Sequence, residues 1–183
     1  MKQENYIVLT GAMGGGKSTI LKALFEMDTV CVPEPARKIL FEQRSIEASG
    51  VPEIDPGLFT MLMLSRSIHD YNEYDSGHAH IVFDRGVPDM IAYAGLFGLD
   101  LHPYRNAAKQ YRYNDTVFYF PPWKDIYSTD EERKIGFEGA KAFGVQTKRI
   151  YEDLGYNVIE MPLVSIDERA RFILKKLKEL GTG

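Results

Sequence analysis

The sequence lacks cysteine almost entirely, and it also lacks long hydrophobic runs. Cys31 is the single cysteine among 183 residues, so neither an intramolecular disulfide nor a zinc site built from several thiolates can form. The apolar run near the N-terminus ends at Thr10 and Gly11, which makes it too short for a signal peptide or a membrane span. We therefore expect a cytoplasmic protein with no membrane partner.

An excess of basic charge is also missing. The chain carries 22 Lys and Arg against 26 Asp and Glu, a formal net charge of −4. Proteins that bind nucleic acid usually show a basic excess, so a nucleic-acid partner is not expected. A small anionic ligand is not excluded, because a few local groups can hold it. With 44% hydrophobic residues, residues 1–183 have the length and composition of one globular domain.

Short apolar segments alternate with amphipathic ones along the whole chain. The predicted strands are Tyr6–Thr10, Val30–Val32, Ile81–Phe83, Thr116–Phe120 and Asn157–Met161. The predicted helices are 17–27, 36–48, 58–74, 90–97, 104–112 and 130–154, with a last one that starts at a Ser165–Glu168 capping box and ends at Gly181. This alternation predicts an α/β fold with a parallel sheet covered on both faces. Ligands of such folds bind beyond the carboxyl ends of the strands.

A glycine-rich loop follows the first predicted strand and opens the first predicted helix. Residues 11–18 read Gly-Ala-Met-Gly-Gly-Gly-Lys-Ser and fit the pattern G-x-x-x-x-G-K-[ST] in full. Backbone N–H groups of such a loop surround phosphates, Lys17 would reach the β- and γ-phosphates, and Ser18 would bind Mg²⁺. The alternative interpretation is an ordinary Gly-rich turn, which does not require a strand before it and a helix after it. The predicted nucleotide-binding residues are Gly11, Gly14, Gly15, Gly16, Lys17, Ser18 and Thr19.

An acidic residue ends the third predicted strand. Asp84 follows Ile81-Val82-Phe83 and would hold Mg²⁺ directly or through water. Arg85 comes next, where a forked cation could bind a transferring phosphoryl group. Oligomeric motors of the AAA+ type normally carry Asp-Glu at this position, and we find neither of the Asp-x-x-Gly and Asn/Thr-Lys-x-Asp motifs of signalling GTPases. The motor and GTPase interpretations are therefore disfavoured.

A glutamate follows the second predicted strand at the same edge of the sheet. Glu34 stands in the segment Val32-Pro33-Glu34-Pro35-Ala36-Arg37 and could accept the proton of an attacking hydroxyl group. A solvated loop glutamate in a rigid proline frame is the alternative interpretation.

The order of these three motifs resembles that of deoxynucleoside kinases, and the Asp-Arg pair is similar to that of thymidylate kinases. The sequence is more similar to an AAA-like P-loop NTPase family related to the ribosylnicotinamide kinase domain of bacterial NAD regulators, through Glu34–Arg37, Asp84–Asp89 and Pro121–Lys124. The resemblance implies that Glu34 is the base, that Arg85 stabilises the phosphoryl group and that Asp84 holds the metal.

The helix that would read the nucleobase departs from the nucleoside-kinase pattern. Residues 59–66 contain no Gln, the residue with which those enzymes read the base. Phe59 and Arg66 are the residues of this helix that could line an acceptor site. Core packing is the alternative for its methionine and leucine residues.

P-loop kinases carry a lid after the fourth strand, and residues 121–136 occupy the corresponding position. Arg133 is the candidate lid cation that would close over the phosphates and exclude water. An exposed first helical turn with intrahelical charge pairs accounts for Arg133 equally well.

Together these features predict a three-layer α/β/α P-loop kinase-like domain, with a five-stranded parallel sheet in the order 2-3-1-4-5. The predicted activity is transfer of the γ-phosphoryl group of Mg²⁺-bound ATP, or of GTP, to a hydroxyl of a small molecule such as a nucleoside. Lys17, Glu34, Arg85 and Arg133 are the candidate catalytic residues, and Ser18 and Asp84 are the candidate Mg²⁺ ligands. The alternative is a slow ATP or GTP hydrolase that acts as a nucleotide-dependent switch. A homodimer is compatible with the sequence.

Overall fold

The computed structural model describes residues 2–74, 80–128 and 135–181. Its strands are β1 (Tyr6–Gly11), β2 (Val30–Val32), β3 (Ile81–Asp84), β4 (Thr116–Phe120) and β5 (Asn157–Glu160). Its α-helices are α1 (Lys17–Phe25), α2 (Ala36–Ser45), α3 (Pro56–Glu73), α4 (Asp89–Leu96), α5 (His102–Gln110), α6 (Phe137–Asp153) and α7 (Ile166–Leu180). A short 3₁₀ helix covers Lys124–Ile126.

The five strands form one parallel sheet in the order β2-β3-β1-β4-β5, which confirms the predicted fold class and strand order. Strand β1 lies at the centre, with Leu9 beside Asp84 of β3 and Gly11 beside Phe120 of β4. The loops that leave β1, β2 and β3 therefore emerge at the same edge of the sheet. This edge holds all three sequence motifs.

The two faces of the sheet have different cores. Tyr6 and Val8 of β1 point into a core with many tyrosines, which α3, α4, α5 and α6 cover. Ile7 and Leu9 point the other way, into a mainly aliphatic core beneath α1 and α7. Because successive side chains of a strand alternate between faces, β1 contributes to both cores and is buried along its whole length.

The predicted helices differ from the observed ones mainly at their ends. Helix α3 starts at Pro56, because Asp55 caps it by accepting a hydrogen bond from the Leu58 N–H and proline suits the first helical position. Pro103 likewise lies in the first turn of α5, which therefore starts before the predicted Tyr104. Helix α6 starts only at Phe137, and residues 129–134 of the longer predicted helix lie outside the described residues. The Ser165–Glu168 capping box is confirmed.

Among the helices of the described ranges, none combines the length and the apolar content that crossing a membrane requires.

Candidate active site

The phosphate loop is bent tightly against the end of β4. Gly11 has a φ of +116°, and a Cβ atom there would lie 2.4 Å from the Phe120 carbonyl oxygen. Only glycine therefore fits at the first position of the loop. The Ala12 N–H donates to that same carbonyl at 3.0 Å, which fixes the loop to the sheet before it turns into α1.

Lys17 is buried at the start of α1, although lysine is rarely buried without a partner. Its Nζ donates to the Ala12 carbonyl oxygen at 2.8 Å, so the side chain lies back along the loop. Burial, and then the nearby Arg85, lower the pKa of Lys17 to about 8. A phosphate group placed in the loop would counter both effects, because it would supply the negative charge that Lys17 faces only partly.

Ser18 and Asp84 lie together where a P-loop protein holds its metal. The Ser18 Oγ donates to Asp84 Oδ2 at 2.8 Å. The other oxygen of the carboxylate, Oδ1, is buried, and among the described residues no group donates a hydrogen bond to it. Burial raises the pKa of Asp84, and the neighbouring Glu34 carboxylate adds to the rise while Lys17 opposes it.

These two residues fit Mg²⁺, because a hydroxyl and a carboxylate with an unsatisfied oxygen are ligands that this ion prefers. Within the described ranges no three His, Cys, Asp or Glu side chains group together as a metal site. An ion held by Ser18 and Asp84 would therefore take its remaining ligands from water and from phosphate oxygens.

Arg85 is held rigidly just beyond β3. Its backbone adopts a φ of +70°, uncommon for a residue with a Cβ atom. Its Nε donates to Glu34 Oε1 at 2.8 Å, and its Nη1 donates to the Gly11 carbonyl oxygen and to Asp89 Oδ1. The guanidinium group also lies over the rings of Tyr93 and Phe143, at 5.6 and 5.2 Å from their centres. These contacts on several sides fix the direction of the Arg85 guanidinium group. Arg85 is also one of the residues that line the cavity described below.

Glu34 is brought to Arg85 by the loop after β2. Its Oε1 accepts hydrogen bonds from Arg85 Nε and from the Tyr93 hydroxyl, the latter at 2.7 Å. Burial by itself would raise the pKa of Glu34, but the charges of Arg85 and Lys17 outweigh it, so the pKa is lowered. The side chain retains 22% exposure and lines the cavity. Glu34 is therefore an ionised, oriented hydrogen-bond acceptor and not the solvated loop residue of the alternative interpretation.

A cavity of about 580 Å³ is lined by Lys17, Ser18, Glu34 and Arg85, and its volume is within the range typical of small-molecule sites. Beside the phosphate loop it is lined by Gly14, Gly16, Lys17, Ser18 and Thr19. Met13 of the phosphate loop also lines it, and a further set of lining residues comprises Glu34 and, from α2 to the end of α4, Arg37, Leu40, Phe59, Tyr93, Leu96 and Phe97. Another set contains Ile126, Ile166 and Arg169. Phosphate-binding groups thus share one space with a largely apolar recess around a carboxylate.

Arg169 is a cavity residue that sequence reasoning missed. It lies in α7, and its Nη1 donates to the Gly15 carbonyl oxygen at 3.1 Å. Its guanidinium group lies over the rings of Phe120 and Trp123. The sequence contained one indication: Arg169 occupies the same face of α7 as the buried Ile173 and Leu177, and a charge on a buried face calls for a partner.

The structure brings most of the predicted site residues together, and the remainder divide into three cases. Gly11 and Gly15 shape the phosphate loop and Asp84 contacts Ser18, but none of the three is among the residues that line the cavity. Phe59 lines the cavity, whereas Arg66 is not among the lining residues and forms an ion pair with Glu42 at 3.2 Å. Arg133 lies outside the described residues, so its role as a lid cation stays a prediction. Sequence reasoning also assigned no role to Tyr93 and Asp89.

A phosphate loop between β1 and α1, followed by an aspartate at the end of the neighbouring β3, defines the chain as a P-loop NTPase with a kinase-like fold. The family-model comparison agrees. A model described as AAA domain matches residues 6–169, so the chain belongs to that family. No curated protein matches the chain.

Solved structures share the fold at low sequence identity. A NadR protein in complex with NR superposes with a TM-score of 0.70 at 16% identity; the match covers 99% of this chain and 52% of the NadR chain. Deoxyadenosine kinase from M. mycoides with bound dATP gives a TM-score of 0.67 at 17% identity, with 94% and 98% covered. Shikimate kinase from Acinetobacter baumannii in complex with shikimate gives 0.57 at 19% identity, with 96% and 93% covered. The chain therefore spans about half the length of the NadR protein that it resembles.

Proposed function

We propose that the protein transfers the γ-phosphoryl group of Mg²⁺-bound ATP to a hydroxyl group of a small molecule. One observation carries the proposal: the Glu34 carboxylate and the Arg85 guanidinium form an ion pair on the wall of the cavity that the phosphate loop lines. A group able to accept the hydroxyl proton and a group able to stabilise the phosphoryl group are thus held 2.8 Å apart. The named activities of two similar folds, deoxyadenosine kinase and shikimate kinase, support the same class of reaction.

In this proposal Lys17 and Arg85 stabilise the transferring phosphoryl group, and Ser18 and Asp84 hold Mg²⁺. The ion would neutralise phosphate charge when bound. Glu34 accepts a hydrogen bond from the acceptor hydroxyl and orients it toward the phosphoryl group. Because phosphoryl transfer passes through a loose transition state, orientation by an ionised carboxylate matters more than strong basicity. Arg169 fixes the Gly15 carbonyl and lines the cavity at the nucleotide end.

The recess around Glu34 suits an acceptor that carries a ring. Phe59, Tyr93 and Leu96 are lining residues that offer apolar and aromatic surface, while Glu34 is a lining residue that supplies a polar contact. A nucleoside has this combination of a flat ring and a hydroxyl group, so we place nucleosides first among the acceptors to be tested.

An acceptor screen tests the proposal. The purified protein is incubated with Mg²⁺ and ATP or GTP, and ADP or GDP release is followed with nucleosides, ribosylated vitamins and hydroxy acids. We expect one acceptor to accelerate release about 100-fold or more over water, since positioning a hydroxyl removes most of the entropic barrier. Lys17→Ala, which removes the phosphate-binding cation, is the inactive control. Slow release that no acceptor accelerates would contradict the kinase proposal and support the switch.

Glu34→Gln tests the role of the carboxylate with the acceptor so found. The substitution keeps the shape but removes the charge, and we expect kcat to fall about 100-fold, the usual contribution of a general base. The KM for ATP should change less than kcat, because the proposal assigns Glu34 to the acceptor hydroxyl and not to the nucleotide. Glu152→Gln, an exposed carboxylate on α6, is the matched control. Unchanged turnover in Glu34→Gln would remove Glu34 from the reaction.

The sequence also supports four further proposals. They are one domain over residues 1–183, a lid over residues 121–136 with Arg133 as its cation, a cytoplasmic location, and a homodimer as a compatible state. Nucleotide-dependent protection of residues 121–136 from proteolysis would test the lid.

A further inference from the structure

The residue that holds Arg85 in place is itself completely enclosed. Asp89 lies in the first turn of α4 and has no exposed surface. An ionised carboxylate is seldom buried unless several donors compensate the loss of water. Burying the Asp89 carboxylate therefore costs free energy. The partners of Asp89 indicate what the residue does.

Four donors from three parts of the fold converge on the Asp89 carboxylate. Its Oδ1 accepts from Thr10 Oγ1 at 2.7 Å and from Arg85 Nη1 at 3.0 Å. Its Oδ2 accepts from the Gly86 N–H at 2.9 Å and from the Tyr151 hydroxyl at 2.6 Å. Strand β1, the turn after β3 and helix α6 are thereby tied to one point.

The turn between Asp84 and Asp89 is shaped to admit this arrangement. A Cβ atom at position 86 would lie 3.0 Å from the Tyr151 hydroxyl oxygen, so glycine leaves room for that donor. The left-handed backbone of Arg85 returns its side chain toward Asp89 and Gly11, where Nη1 contacts both. An uncommon backbone conformation persists only where its surroundings hold it.

We propose that Asp89, supported by Thr10 and Tyr151, is a positioning residue that aims the Arg85 guanidinium at the γ-phosphate of the bound nucleotide. Asp89 and the Gly11 carbonyl accept the hydrogen bonds of Nη1 and Glu34 accepts that of Nε, so in this proposal the remaining Nη2 group contacts the γ-phosphate. Asp89 touches neither nucleotide nor acceptor and acts through Arg85. The inference rests on the proposed function, because it assumes that a nucleoside triphosphate occupies the phosphate loop.

Affinities for two nucleotides test the proposal without a known acceptor. Mg²⁺ with AMP-PNP, a non-hydrolysable triphosphate, and Mg²⁺ with ADP are titrated into the wild type and into Asp89→Asn. If Asp89 aims Arg85, the variant binds AMP-PNP about tenfold more weakly, the loss of one charge-assisted contact, whereas ADP binding changes less than about twofold. A purely structural residue would weaken both nucleotides equally.

A milder pair of variants covers the case in which Asp89→Asn does not fold. Thr10→Val removes one hydroxyl donor to Asp89 while keeping the side-chain shape, and Thr10→Ser keeps the hydroxyl. We expect AMP-PNP affinity to fall about threefold in Thr10→Val and to recover in Thr10→Ser, with ADP affinity unchanged in both. Thermal unfolding confirms that each variant is folded.

The outcomes separate this inference from the proposed function. No binding of either nucleotide to the wild type, or the same binding in Lys17→Ala, contradicts the proposed function itself. Normal nucleotide binding with equal AMP-PNP affinity in the wild type, Asp89→Asn and Thr10→Val contradicts only the positioning role. A wild type that binds AMP-PNP no more tightly than ADP also contradicts it, since Arg85 would then contribute nothing at the γ-phosphate.

Discussion

Asp84 and Asp89 flank the same turn and are both buried, yet their carboxylates differ in how many hydrogen-bond donors surround them. Asp84 has one hydrogen bond, from Ser18, and its Oδ1 has no donor among the described residues. Asp89 accepts four hydrogen bonds and forms an ion pair with Arg85. A buried carboxylate with an unsatisfied oxygen is suited to bind something from outside the chain, whereas a fully satisfied one holds the chain in place.

The groups on either side of the turn differ as well. The Asp84 side of the turn faces Lys17, whose burial lowers its pKa, so this region holds charges that are incompletely compensated until a ligand arrives. The Asp89 side is closed by the Tyr151 hydroxyl from the aromatic core, which donates a hydrogen bond to Asp89 inside an apolar environment. The two regions differ in how many donors surround them, not in how deeply they are buried.

The largest expected effect comes from Asp84→Asn on activity. Without the carboxylate the site loses a Mg²⁺ ligand, and we expect turnover to fall about 10³-fold or more, because phosphoryl transfer depends on the metal to neutralise phosphate charge. Acceptor-dependent ADP release at saturating ATP measures this. The exposed Asp167→Asn, at the start of α7, is the matched control. Activity near that of the control would show that Asp84 does not hold the metal.

The second prediction concerns stability, where the two aspartates should give opposite results. Asp89→Asn breaks a buried ion pair and places an amide NH2 group opposite two donors that a carboxylate oxygen had satisfied. The free energy of unfolding should therefore fall by about 3 kcal/mol. Asp84→Asn removes a buried charge with one hydrogen-bond partner, so the nucleotide-free protein should be as stable as the wild type or more stable. Denaturant unfolding without nucleotide or Mg²⁺ measures both. Equal losses in the free energy of unfolding would show that the two carboxylates contribute to stability in the same way.

The smallest expected effect is on the pH dependence of stability. Because the pKa of Asp84 is raised in the folded protein, the folded state holds this proton more tightly than the unfolded state does. The penalty for the buried charge is therefore complete above the folded pKa and disappears as the pH falls toward the ordinary value of 3.8. Any stability advantage of Asp84→Asn over the wild type should narrow as the pH is lowered from 8 toward 3.8, in denaturant unfolding at each pH. An advantage that widened on acidification would mean that the pKa of Asp84 is lowered.

Most of the fold could be predicted from local patterns, and so could the phosphate-binding part of the site. The glycine-rich loop and the aspartate after β3 are short, contiguous motifs whose chemistry depends on immediate neighbours. Helix ends were predicted less well, because prolines in the first turns of α3 and α5 extend these helices beyond their apolar pattern. The cavity-lining residues outside the phosphate loop were predicted only in part. Glu34 and Phe59 were named, but neither Tyr93 nor Arg169 was.

The sequence by itself determined the alternation of strands and helices, the phosphate loop and the carboxylates at the strand ends. It did so because hydrophobic period and motif spacing act over a few residues. Only the tertiary structure decided that Arg169 reaches the carbonyl of Gly15, 154 residues away in sequence, and that Tyr151 closes over Asp89. Hydrogen bonds between distant segments depend on which helix faces pack against which ends of the sheet. Local pattern carries no record of that packing, so the number of donors around each buried carboxylate becomes visible only in the folded chain.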